Sequence, residues 1–435
     1  LDSNQFSGEI PSGNENIVFI LTDDLGFQDL SSYGSPMIKT PNLDLLAKQG
    51  ALLNSYYSTQ AVCSASRASI LTGAYPNRIG FSGALGPNSK KGINSKELLM
   101  SEMLKGEGYK TAIYGKWHLG DNEKFMPTKH GFDDFYGILY SNDMWPMHPE
   151  ARKGTYPPLP YFNDDEIVYS QPDQTQFTKD FTNLTIDFIT EHKDEPFFVY
   201  LPHPMVHVPL HVSEEWDGAT GLGLYADVVA EIDDGVGILV EELRYSGKLD
   251  NTLIIITSDN GPWFLGNAGD QRGRKGNTFE GGMRVPFIAH WPAEIPQGRS
   301  EPAMAMGIDL LPTVLDILAL PAPNDRILDG RSMLPTLTKG AASPHQYLHY
   351  YDGETLFAVR DQRFKYRGPA GVFYGTDQML ISGSIPQKEW LFDLQSDPGE
   401  SYDVSARHPQ KLAELRAEFN RKNAEMQSNL RGWTP

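Results

Sequence analysis

Residues 17–24 read Ile17-Val18-Phe19-Ile20-Leu21-Thr22-Asp23-Asp24. An unbroken apolar run of this length, rich in β-branched and aromatic residues, predicts a short strand buried on both faces. Strands of that kind belong to parallel or mixed sheets covered by helices. The run stops abruptly at two carboxylates, and ligands of open α/β sheets bind at the carboxyl ends of strands. The same few residues therefore point both to a fold and to a place in it.

Working outward, similar runs recur at residues 110–114, 197–201, 253–257 and 287–291. Helical patterns lie between them. Residues 41–48 begin with Pro41 and are followed by Gly50, the residues favoured at the start and just past the end of a helix. Residues 225–245 carry Val228, Ile232, Val236, Leu239 and Leu243 at helical spacing. This alternation predicts an α/β fold, a large mixed and mostly parallel sheet flanked by helices. Near residue 340 the pattern changes to short, turn-separated strands at 347–351, 356–360, 364–366 and 390–394, then a helix over 410–426. A catalytic domain over 1–340 and a C-terminal subdomain over 341–435, a small antiparallel sheet plus a helix, is the expected organisation. Gly- and Pro-rich stretches at 80–92 and 153–160 read as long loops, which in such enzymes line sites.

The composition narrows the function. The chain of 435 residues has 56 acidic against 37 basic side chains, a net charge of −19. That surface repels phosphate backbones and anionic lipid, which argues against nucleic acid or a membrane surface as partner. No apolar run reaches the roughly 18 residues of a membrane-spanning helix. Leu1-Asp2-Ser3-Asn4-Gln5-Phe6 lacks an initiator Met and reads as a mature start, which is compatible with the periplasmic or extracellular location that the family resemblance described below implies. Cys63 is the single cysteine, which excludes an intramolecular disulfide.

Asp23-Asp24 has a counterpart in Asp259-Asn260, at the end of the 253–257 strand. Either pair alone is ordinary turn chemistry. Two pairs at equivalent strand ends offer a set of hard oxygen ligands, suited to Ca²⁺ or Mg²⁺ rather than zinc. In Cys63-Ser64-Ala65-Ser66-Arg67 the Cys sits just before a short helical stretch, where amide groups and the helix dipole favour an anion. Arg67, one turn on, has a guanidinium fork able to hold an oxyanion. Gly115-Lys116-Trp117-His118-Leu119-Gly120 adds a cation and an imidazole after a strand; His207 follows another strand, and Lys275 lies on a glycine-rich loop.

Cys-x-Ala-Ser-Arg with Leu71-Thr72-Gly73, the Gly-Lys-Trp-His-Leu-Gly block and Glu280-Gly281-Gly282-Met283-Arg284-Val285-Pro286 together resemble the type I sulfatases of the alkaline phosphatase superfamily. Tyr140-Ser141-Asn142-Asp143 and His207-Val208-Pro209 resemble the arylsulfatase A and N-acetylgalactosamine-6-sulfatase branch. Leu391-Phe392-Asp393-Leu394 with Asp397-Pro398-Gly399-Glu400 is similar to the family's C-terminal signature. The resemblance implies that Cys63 is oxidised to formylglycine by a maturation enzyme. It implies that the aldehyde hydrate is the nucleophile and that Asp23, Asp24, Asp259 and Asn260 hold one Ca²⁺, or Mg²⁺, together with an oxygen of residue 63. Arg67 and Lys116 would then orient the hydrate and the sulfate. His118 would regenerate the aldehyde, His207 and Lys275 would contact the sulfate and protonate the leaving oxygen, and Ser141 would be a polar contact near the nucleophile. Ala65 stands where many members carry Pro, which bears on which maturation system acts.

A geminal diol can attack sulfur with one hydroxyl and expel sulfate with the other, so turnover needs no second attack at sulfur. The expected substrate is a sulfate monoester on a carbohydrate, a galactose-type sugar of a polysaccharide or glycosaminoglycan. Asn142, Asp143, Trp145 and His148 are expected on the sugar side, with Trp263 a further aromatic near the site. His203, His211 and His290 read as structural, and Arg272 and Arg274 as a solvated charged loop. Asn183-Leu184-Thr185 is a glycosylation sequon by pattern alone. The rival readings are a phosphonate monoester or phosphodiester hydrolase of the same superfamily and an unmatured binder of sulfated glycans. Against a two-zinc phosphatase stand Asn260, where a metal-binding His would be expected, and Cys63 at the nucleophile position.

Overall fold

The computed structural model describes residues 14–369 and 388–431; Leu1–Phe6 lie outside them. Ten strands form the main sheet: β1 Asn16–Thr22, β2 Ala51–Tyr57, β3 Lys110–Lys116, β4 Asp134–Ile138, β5 Pro160–Asn163, β6 Glu166–Ser170, β7 Phe197–Pro202, β8 Thr252–Ser258, β9 Phe287–His290 and β10 Arg299–Met306. Their order is β10-β2-β9-β8-β1-β7-β3-β4-β5-β6. The central run β8-β1-β7-β3-β4 is parallel throughout, whereas β9 and β5 run against their neighbours. The expected mixed, mostly parallel sheet is present, and every residue of β1 is buried.

Register places the strand ends. Thr22 of β1 is paired with Ser258 of β8, and Leu21 with Pro202 of β7. The segments beginning at Asp23, Asp259 and His203 therefore leave the sheet side by side. β3 joins them through a close approach: a Cβ on Gly115, whose φ is +136°, would lie 2.1 Å from the Pro202 carbonyl oxygen. Only glycine tolerates that spacing, and Lys116 follows it directly.

Helices Pro41–Gln49, Phe177–Glu191 and Leu224–Tyr245 cover the sheet with amphipathic faces. Helix Cys63–Thr72 differs, because all its residues are buried. It ends at Gly73, whose left-handed φ of 67° lets its N–H bond the Ser69 carbonyl as a helix C-cap.

The C-terminal strands β11 Leu348–Asp352, β12 Thr355–Arg360, β13 Phe364–Arg367 and β14 Trp390–Asp393 form an antiparallel sheet in chain order, packed on helix Pro409–Ser428. Its core is shared with the large domain: Leu348, Tyr350 and Leu391 cluster with Tyr57, Tyr75 and Met304. At the seam lies the buried Glu280, which accepts hydrogen bonds from Tyr57 (2.8 Å), Tyr350 (2.9 Å), Arg360 (3.1 Å) and Lys365 (3.1 Å). Burial opposes the charged form of Glu280, but Lys365 and Arg360 outweigh it and hold the carboxyl below the ordinary range.

Glu280→Gln should therefore leave Arg360 without its counter-charge and Lys365 with Glu400 alone, and cost about 3 kcal/mol at neutral pH. A depressed carboxyl stabilises the fold above the unfolded value of about 4.3 and loses that contribution as the pH falls below it. Thermal melting should show a lower midpoint for the variant at pH 7 and a gap from wild type that narrows in acid.

Candidate active site

At the carboxyl ends of β1, β3, β7 and β8 the separate sequence signals meet. Cys63 is the first residue of helix Cys63–Thr72, and the Val62 cap supplies no side-chain acceptor. The amide end of the helix, with its positive partial charge, is thus left beside the thiol. Cys63 lies 3.5 Å from an Asp23 oxygen and 3.2 Å from the Lys275 ammonium. It lines a cavity of about 320 Å³ together with Asp24, His118, Ser141, His207 and Lys275. Burial, then the Asp23 charge, push its thiol far up, so the unmodified sulfur is protonated and a weak nucleophile.

Arg67 is fully buried one turn along the same helix. Its guanidinium donates to Asp259 (3.0 Å), Asp23 (3.2 Å) and the Lys116 carbonyl (2.7 Å). The Lys116 ammonium bonds Asp23 and donates to Ser141 Oγ at 3.1 Å. Burial raises the Asp23 carboxyl, but Lys116 and Arg67 outweigh it and hold it well below the carboxylate range. Burial and the Asp23 charge push Asp259 up. Asp24, at φ +60°, receives Lys275 at 2.8 Å and the Asn260 amide at 2.7 Å. Burial would lower the Lys275 ammonium, yet Asp24, Cys63 and Asp23 hold it well above its ordinary value.

The two imidazoles differ in what they present. His118, also in the left-handed region at φ +61°, has Nε2 2.8 Å from the Leu85 carbonyl. That acceptor assigns the proton to Nε2, and Nδ1 is left buried without a partner. Burial, then Lys116 and Arg67, drive His118 well below its usual value, so it stands as a neutral base. Non-glycine residues held at positive φ concentrate at functional sites. His207 Nδ1 donates to the Val208 carbonyl (2.5 Å), while its Nε2 lies 3.7 Å from Asp24.

The clustered side chains could hold a metal ion. One ligand atom each from Asp23, Asp24, Cys63 and His207 fits within 4.8 Å. Asp259 is adjacent, accepting the Asp24 N–H at 3.3 Å. Asn260 spends its amide nitrogen on Asp24 and the Gly261 carbonyl, and its carbonyl oxygen is buried with no partner. An orphaned oxygen beside carboxylates is costly unless a cation takes it.

The sulfatase family model matches residues 15–320. The chain belongs to the sulfatase family. A second model, the N-sulphoglucosamine sulphohydrolase C-terminal region, matches residues 274–429 of this sulfatase. It is 38% identical to the N-acetylgalactosamine-6-sulfatase of Mus musculus, over 90% of this chain and 82% of that protein. It is 35% identical to arylsulfatase A of Bos taurus, over 89% of this chain and 83% of the other. A sulfatase structure from Pseudoalteromonas sp. superposes with a TM-score of 0.86 at 26% identity, covering 97% of this chain and 92% of that one. The protein is thus a sulfuric ester hydrolase.

The sugar-side expectations divide. Ser141, Asp143 and His148 line the cavity, and so does Trp263. Asn142 and Trp145 are not among its lining residues. The Asn142 amide donates to Gln174 (3.0 Å) and the Pro209 carbonyl (3.3 Å), bracing the segment that carries His207. Trp145 is buried with its ring edge-on to His211, which serves packing rather than a sugar platform. Sequence reasoning missed Leu85, whose contribution is a backbone carbonyl, and Glu150 on the cavity lip. Leu85 lies in the Gly-rich 80–92 loop, the one signal that pointed there.

Arg67→Met preserves approximate volume but removes the buried counter-charge of Asp23 and Asp259. It should cost about 3–5 kcal/mol, read as a lowered melting midpoint. Arg67→Lys should recover only part, because an ammonium cannot reproduce the fork.

Proposed function

We propose that this sulfatase removes sulfate from a sulfated carbohydrate, a galactose-type sugar of a polysaccharide or glycosaminoglycan. The catalyst would be Cys63 converted to formylglycine, with one divalent cation, Ca²⁺ ahead of Mg²⁺. The observation that carries the reading is Cys63 at a helix N-terminus in the cavity wall, between Lys275 and Asp23. The names of the curated relatives support the carbohydrate. Asp23, Asp24, Asp259 and Asn260 would hold the cation, which when bound supplies charge stabilisation for the non-bridging sulfate oxygens. Conversion of Cys63 supplies a geminal diol whose two hydroxyls serve attack and release.

The chain's own residues do the rest. Arg67 fixes the carboxylate frame, and Lys116 holds Ser141 and Asp23 in place. Lys275 Nζ, beside the residue 63 side chain, neutralises the sulfate. His118 Nδ1 is an unpaired acceptor for a proton from residue 63. Burial, then Lys275, hold the His207 imidazole below its usual value, so its Nε2, with the ring fixed through Nδ1, would be the donor for the leaving oxygen only after taking up a proton. The neutral His118 and the permanently charged Lys275 thus divide base and electrostatic roles. A formylglycine-generating enzyme is the implied partner for maturation, and a periplasmic or extracellular setting fits the family; no helix among the described residues is long and apolar enough to cross a membrane.

Peptide mass spectrometry across Cys63, paired with sulfate-ester assays, tests this. The matured peptide should show the mass of the aldehyde or its hydrate, and Cys63→Ala should lose roughly 10³-fold or more in activity. Converted protein active only on phosphonates or phosphodiesters would transfer the reading to that class. Unconverted protein that binds sulfated glycans without turnover would make it a binder.

Chelation should abolish activity and lower the melting temperature, with Ca²⁺ restoring both. Ca²⁺ at about 100 times its dissociation constant adds roughly 2.7 kcal/mol to the fold. Asn260→Ala should shrink that calcium-dependent shift.

A further inference from the structure

The lip of the cavity has a charge pattern of its own. Beyond the catalytic cluster the acidic groups lining it are Asp143 and Glu150, with the His148 imidazole between them in sequence, and among the described residues no Arg or Lys joins them. The two arginines nearest in sequence to Lys275 are committed elsewhere. Arg274 donates to the Trp263 and Gly266 carbonyls at 3.2 Å and stacks over Phe264, while Arg272 donates to the Glu400 carbonyl and stacks over Phe279. Among the described residues the anion-binding power of the site is therefore confined to its floor, and the lip is acidic.

Asp143 and His148 form a complementary pair there. His148 Nδ1 accepts the backbone N–H groups of Glu150 (3.1 Å) and Ala151 (2.9 Å), which puts the ring proton on Nε2. That Nε2 stands 3.6 Å from Asp143 Oδ2, beyond a hydrogen bond, and Asp143 Oδ1 is buried with no partner. An unspent donor beside an unspent acceptor matches neighbouring sugar hydroxyls, each able to give and take one hydrogen bond. A sulfate or carboxylate in their place would meet two carboxylates and lose the Asp143 acceptor contact.

Resting on the carbohydrate sulfatase reading above, we propose that the site selects a sugar carrying one sulfate and excludes a second anionic group next to it. Asp143, His148 and Glu150 are the specificity-determining residues. The preferred substrate is a neutral pyranose apart from the sulfate being removed, not a residue of a densely charged glycan.

The experiment compares kcat/KM on each galactose monosulfate and its corresponding disulfate, using the formylglycine-bearing enzyme, Asp143→Asn and Glu150→Lys. Wild type should favour the best monosulfate over its disulfate by about tenfold or more. Both variants should narrow that ratio, and Asp143→Asn should raise KM for the monosulfate more than it lowers kcat. A selectivity ratio is untouched by a merely structural loss, which scales both substrates alike. Equal rates on the two sugars in wild type, or a ratio unmoved in both variants, would overturn the proposal while leaving the sulfatase reading intact. Release of sulfate from neither sugar by fully matured protein would remove the carbohydrate reading, and this inference with it.

Discussion

The guanidinium of Arg67 is shared among Asp23, Asp259 and the Lys116 carbonyl. Those groups belong to the ends of β1, β8 and β3, and Arg67 itself to the central buried helix. One side chain therefore ties together the ends of three strands and the helix that presents Cys63. Charges buried so completely are expensive unless paired and hydrogen-bonded, and this fork meets three acceptors within 3.2 Å. The arrangement is weak evidence for stability as such. It is stronger evidence for a frame that must not move, because a side chain with this many fixed partners has no second arrangement near in energy.

That frame decides what the rest of the site can be. Parallel register sets Thr22 beside Ser258, so each strand's next residue is a carboxylate that Arg67 can reach. Gly115 lets β3 come close enough for Lys116 to join. His118 and Asp24 then take up left-handed backbone at the turns that leave the sheet. Such strain is tolerated where surrounding contacts over-determine the conformation, and here both residues are held by further bonds: the imidazole by Leu85, the carboxylate by Lys275 and Asn260.

Much of this was legible in the sequence because the signals were local. The run at 17–21, its partners at 110–114, 197–201 and 253–257, and the 225–245 helix all correspond to elements of the structure. The edge strands β6 and β10, and β5 beside β6, gave no comparable run. β6 is exposed at every position, and the first four residues of β10 are exposed or half-buried, so neither needs a continuous apolar sequence. At the site, charged side chains at strand ends could be read, since a buried carboxylate or lysine needs a reason. Asn142 and Trp145 lie off the cavity lining although their neighbours Ser141 and Asp143 are on it, because adjacency in sequence says nothing of which way a loop turns its side chains. Leu85 was unreadable, since any residue supplies a carbonyl.

The charge balance of the cluster bears on why it should want a cation at all. Asp23, Asp24 and Asp259 face Arg67, Lys116 and Lys275, three carboxylates against three cations, and burial keeps His118 neutral. As it stands the floor of the cavity is nearly neutral. It sits in a chain of net charge −19, beneath a lip bearing Asp143 and Glu150. Screening confines the distant surface charge to roughly 8 Å at physiological salt, so the local set governs binding. A neutral floor holds an anion only through directed hydrogen bonds. Two further positive charges at Asn260 would turn it into a site whose net charge opposes that of a sulfate ester. The orphaned Asn260 oxygen and the balanced cluster are thus two observations that fit the proposed cation: the protein would supply the ligands and the compensating cations, and the metal the net attraction.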